Sequence, residues 1–167
     1  GYNYKNIEVK GKLNNQRFEG IASIEDENID FDFNGKIDVS RKLPIYNFKL
    51  NVNKANLAKL NLIETTDTSI VISTTAQLNM IGNQLDNLEG GLQLSNSFYR
   101  DSVNAFYVKN ITIDAHRYTD SLRSVSLRSD VADLNMNGDF SFNDLLPSLT
   151  NFAVAYIPSA KNELIDR

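Results

Sequence analysis

Cysteine and tryptophan are absent from this chain of 167 residues, histidine occurs once, and proline only three times. Without cysteine there is no disulfide framework, no thiol nucleophile and no thiolate metal site, although the absence fits reducing and oxidising compartments equally. No run of about 18 apolar residues occurs, so no membrane-spanning helix is encoded, and the N-terminus lacks the basic-then-apolar pattern of an export signal. The expectation is that, if the protein is exported, its signal or anchor lies upstream of Gly1. Positive charge is also in deficit: 17 Lys and Arg against 21 Asp and Glu leave a net charge of −4. A nucleic-acid partner would require a clustered basic surface, and none is present.

What the chain does have is alternation. Residues 28–40, NIDFDFNGKIDVS, put Ile29, Phe31, Phe33, Ile37 and Val39 on one side and Asp30, Asp32, Asn34, Lys36 and Asp38 on the other. A strict period of two marks a strand with one apolar and one solvated face. Burying five such side chains is worth about 10 kcal/mol as an upper estimate, so this face requires cover. The same pattern places Ile7, Val9, Gly11 and Leu13 together, then Phe18, Gly20, Ala22 and Ile24, then Tyr46, Phe48, Leu50 and Val52. Short polar turns separate these runs, which predicts four antiparallel strands in a meander. Further strands are expected over 69–80 (Ile70, Ile72, Leu78, Met80), from Leu92, over 107–115 and 121–129, and over 134–142 (Leu134, Met136, Phe140, Phe142). Leu57 and Leu60 stand three apart, predicting a short helix over 55–62. The polar stretch 96–104 reads as a long loop. Residues 144–156 carry Leu145, Leu149, Phe152 and Tyr156 at helical spacing behind a capping Asp144, predicting a second helix.

Chemical motifs are few. Asp133, Asn135, Asn137, Gly138 and Asp139 fit a calcium-loop spacing, but position twelve is Asp144 rather than Glu, and Leu134, Met136 and Phe140 are spaced as a strand. The strand reading is preferred. His116 has no cysteine or serine nucleophile motif to serve. Asp30 and Asp32 share a strand face, yet that face is otherwise Asn and Lys, without an aromatic platform for a sugar. Catalytic residues, cofactors and metals are therefore expected to be none, and the chain is expected not to be an enzyme.

The C-terminal third carries a likeness. Leu127-Arg128-Ser129-Asp130, then Ala132-Asp133 running into Gly138-Asp139-Phe140, then Leu145, Pro147-Ser148-Leu149 and Tyr156-Ile157-Pro158, resemble the TamB family of translocation and assembly proteins, particularly Bacteroidetes-type members. The turns at 57–62 and 82–88 are similar to recurring turns of that family. The resemblance implies a segment of a large AsmA-like envelope protein, anchored in the inner membrane and spanning the periplasm. It implies a long U-shaped, taco-like β-sheet or open half-barrel with an apolar groove, acting in outer-membrane biogenesis and phospholipid movement. Residues 1–158 would be one β-groove segment and 159–167 a polar tail or the start of the next unit. Its partners would be phospholipid or fatty acyl chains, neighbouring β-segments and, through the parent, an outer-membrane assembly protein.

Many one-sided strands with so little helix agree with a sheet that folds over on itself. The groove would be lined by the inward residues already named: Ile7, Val9, Leu13, Phe18, Ile24, Ile29, Phe31, Phe33, Ile37, Val39, Phe48, Leu50, Val52, Ile70, Ile72, Leu78, Met80, Leu134, Met136, Phe140 and Phe142. Gly11, Gly20, Gly35 and Gly138, with Thr74 and Ala76 in similar places, suggest a crease across the sheet, or else independent bulges. The rival to the groove is a structural or adaptor β-domain with a dry core that binds protein partners by its surface or edge strands.

Overall fold

The computed structural model describes residues 1–141. Nine strands follow one another in a single antiparallel sheet whose spatial order is the order of the chain. They are β1 (Ile7–Asn14), β2 (Arg17–Glu25), β3 (Ile29–Asp38), β4 (Ile45–Asn56), β5 (Val71–Ile81), β6 (Glu89–Arg100), β7 (Ala105–Arg117), β8 (Leu122–Ser129) and β9 (Asp133–Asp139). Every strand pairs only with its sequence neighbours, so the sheet is open, with β1 and β9 at its edges. Among the described residues no helix is long and apolar enough to cross a membrane.

Local chemistry explains the turns. Asn15 and Gln16 take φ of 44° and 63°, the left-handed pair that lets a two-residue turn match the twist of its strands. Most later turns are closed by an aspartate that accepts backbone N–H groups. Asp26 accepts from Lys5 and Asn28, both at 3.0 Å, and Asp38 from Ser40 N at 3.1 Å and Ser40 Oγ at 2.6 Å. Asp67 accepts from Ser69 N at 2.8 Å and Ser102 N at 3.0 Å, tying two turns at the same end of the sheet. Asp101 accepts from Val103 at 2.8 Å and Asn104 at 2.6 Å, and Asp130 from Asn110 at 3.0 Å and Lys109 at 3.1 Å. Together with the Tyr2 hydroxyl, which donates to Asp26, and the Ser69 hydroxyl, which donates to Asp67 at 2.6 Å, these bonds hold all five carboxyls below the usual carboxylate range.

The structure corrects the sequence reading in two places. Residues 55–62 are not a helix: β4 continues to Asn56, and the chain then folds through hydrogen-bonded turns, Leu60 N to Asn56 O at 3.1 Å and Leu62 N to Leu57 O at 2.9 Å. Asn56 explains the stop, because its side chain bonds Thr68 O at 2.8 Å and accepts Lys59 N at 2.9 Å. Leu57 and Leu60 mimic helical spacing within one turn, and Leu60 is among the most buried residues of the chain. The expected loop over 96–104 is mostly strand: β6 runs to Arg100 and only 101–104 turn back. Here Asn96 and Ser97 together oppose Thr74 in a bulge, with Asn96 at φ 53° and Thr74 Oγ1 2.8 Å from Ser97 Oγ. Val39 lies one residue beyond β3, where its amide donates to Gln16 O at 3.1 Å, and is 44% exposed. Phe142 and the expected helix over 144–156 lie outside the described residues.

Candidate functional site

Cross-strand register decides what the apolar side chains do together. One row runs Ile7, Ile24, Phe31, Val52, Thr74. The next runs Val9, Ala22, Phe33, Leu50, Ala76, Leu94, Ile111. A third runs from Gly11 through Gly20, Gly35, Phe48, Leu78, Leu92, Ile113 and Leu127 to Leu134, and a fourth from Leu13 through Phe18, Ile37, Tyr46, Met80, Gly90, Ala115 and Val125 to Met136. The third and fourth rows cross all nine strands, and neither contains a charged residue. A bulge at Asn53, which has no partner between the pairs Phe31/Val52 and Asp30/Lys54, resets the alternation so that Ala55 joins Ile29 and Ile72 on the same face.

This face has no second layer among the described residues. None of their large side chains is fully buried, and exposure grows toward the edges: Ala76 is 8% exposed at the centre, whereas Ile7, Val9 and Leu13 on β1 are 58, 60 and 78% exposed.

Three of the four singled-out glycines, Gly11, Gly20 and Gly35, are directly opposite one another in the third row. A Cβ on Gly20 would stand 2.5 Å from the Gly11 Cα, and one on Gly35 would overlap the Phe48 backbone. The strands approach more closely than side chains permit. Phe18, Phe33 and Phe48 occupy the freed space, with ring centroids 6.0 Å apart for the first pair and 5.2 Å for the second. Gly138 faces Arg123 instead, two inward rows away, with open space where its Cβ would be. Thr74 and Ala76 also fall outside the glycine row.

The first charges on the inward face lie at one end. Arg117 and Arg123 are cross-strand partners in the row after Val125. Arg123 is 8% exposed, donates to Asp86 at 2.6 Å, and lies 5.6 Å from the centroid of the Phe140 ring. Ser141 Oγ bonds the other Asp86 oxygen at 3.0 Å. The strand expected over 121–129 carries Arg123 on the same face as Val125 and Leu127 by period two, a signal that the sequence reading does not use.

His116 is exposed opposite Ser124. Asp30 accepts from Asn53 Nδ2 at 3.0 Å on the polar face. The residues 133–139 form β9, an extended strand, while position twelve of the calcium-loop spacing, Asp144, lies outside the described residues; no group of three or more His, Cys, Asp or Glu able to hold a metal occurs among the described residues. What the face can do is bury an apolar surface. Compared with protein-family models, curated proteins and solved structures, the chain matches none.

Proposed function

We propose that this chain is a non-enzymatic segment of a TamB-type, AsmA-like envelope protein, working in the periplasm as part of a parent anchored in the inner membrane. Its sheet folds into a U-shaped groove that holds or conducts phospholipid acyl chains during outer-membrane biogenesis. Neighbouring β-segments and, through the parent, an outer-membrane assembly protein are its partners. The observation that carries this reading is the uncharged inward face, continuous across nine strands with no second layer over it among the described residues. Each methylene an acyl chain buries there contributes about 0.8 kcal/mol. The close approach at Gly11, Gly20 and Gly35 supports a bend on the β1 to β3 side.

Titration with a fluorescent fatty acid and a fluorescent phospholipid tests the proposal. Saturable uptake, displaced by unlabelled phospholipid, is expected. A protein that takes up neither is the dry adaptor domain instead.

A further inference from the structure

We infer that the edge of β1 left unpaired among the described residues is a pairing surface for a second copy of this chain, in antiparallel register about Val9. The backbone sets which residues face outward. Asn6 O accepts from Glu25 N at 3.2 Å, and antiparallel alternation then directs the Glu8, Lys10 and Lys12 amides and carbonyls toward β2. Ile7, Val9, Gly11 and Leu13 present theirs to the open edge. All eight residues of β1 are exposed, so nothing among the described residues covers it.

The side chains choose between the two edges. On its polar face β9 carries Asp133, Asn135, Asn137 and Asp139, carboxylates and amides with no cation among them. On the corresponding face β1 carries both signs, Glu8 with Lys10 and Lys12, and Glu8 already pairs with Lys10 within the strand. A two-fold axis at Val9 places Glu8 opposite Lys10 of the second copy twice, and Lys12 opposite Asn6. It sets Val9 against Val9 as a hydrogen-bonded pair, and Ile7 against Gly11, where no side chain competes for the space. An axis at Lys10 would bring two ammonium groups together, which the register about Val9 avoids. The apolar rows of the two copies then join into one face, and the exposed Ile7 and Val9 each gain a cross-strand neighbour.

Sedimentation of the whole chain at about 100 μM should show a dimer. Val9→Pro should give a monomer with an unchanged melting temperature, because the Val9 amide bonds nothing within the subunit and edge proline is tolerated there. Glu8→Lys or Lys10→Glu alone should weaken dimerisation roughly three- to tenfold, and the double variant Glu8→Lys/Lys10→Glu should restore it. With no native cysteine to interfere, Val9→Cys should cross-link under mild oxidation and Met136→Cys should not. A monomer at that concentration, a dimer that survives Val9→Pro, a double variant weaker than either single one, or cross-linking through position 136 instead would each overturn the pairing.

Discussion

At Gly35 the sheet leaves no room for a side chain: a Cβ would meet Asn47 O and the Phe48 Cα and Cβ, and the residue's φ of 156° disfavours L side chains. Gly35→Val should therefore destabilise the chain by about 1 to 3 kcal/mol, as overpacking does, and should reduce lipid uptake by lifting β3 away from Phe48. Asn34→Val, exposed on the polar face, should do neither. Urea midpoints for the two variants check this, and a tolerated valine at position 35 would remove the steric role given to the glycine row. The buried Arg123 supplies a second contrast. Asp86→Ala leaves a guanidinium that is 8% exposed without its carboxylate, and should cost about 2 to 4 kcal/mol. Arg123→Met keeps the volume and removes the buried charge, so it should cost less. Equal losses would show that the pair acts through packing alone. The glycine row was legible in the sequence for β1, β2 and β3, because alternation fixes the face of Gly11, Gly20 and Gly35. Gly138 was placed with them because sequence shows which face a residue takes but not how far along the neighbouring strand it falls.

Single strands and turns form the next scale. Asp26, Asp38, Asp67, Asp101 and Asp130 each close a connection, and each is held below the ordinary carboxylate range. Side-chain hydrogen bonds lead for Asp26 (from Tyr2), Asp38 (from Ser40) and Asp67 (from Ser69), and backbone N–H groups lead for Asp101 (Asn104) and Asp130 (Asn110). A folded pKa below the unfolded one gives stability that is present above about pH 4 and is lost as pH falls through the folded values. Melting temperature should thus hold steady from about pH 5 to 7 and drop at lower pH. Asp67→Asn should lower it at neutral pH and shallow the acid limb; an acid limb unchanged by that substitution would contradict the turn role. Period-two alternation made most strands legible, and it also made the limits of that reading predictable. The bulges at Asn53 and Asn96 break the alternation while the ladder continues, so the strand ends of β4 and β6 look like helix and loop in sequence. Ladder hydrogen bonds come from the backbone, which is why the polar stretch around Asn96 to Ser97 stays in the sheet.

At the scale of the whole sheet, the described residues form one layer whose polar face meets solvent and whose apolar face has no second layer over it among them. The apolar residues of that face were legible strand by strand; their union into rows crossing nine strands depends on register, which turn lengths and bulges set. Charge at the end of the face, from Arg117 and Arg123, escaped the sequence reading because a single arginine among Val125 and Leu127 looks like an ordinary solvent residue until its partner Asp86 arrives from another turn. The proposed occupant is an acyl chain, because the face presents no charge over four rows among the described residues. Native mass spectrometry of the gently purified chain tests this most directly. The expected spectrum contains protein carrying one or more phospholipid masses that organic extraction removes; a spectrum of bare protein alone, before and after incubation with phospholipid, would contradict it.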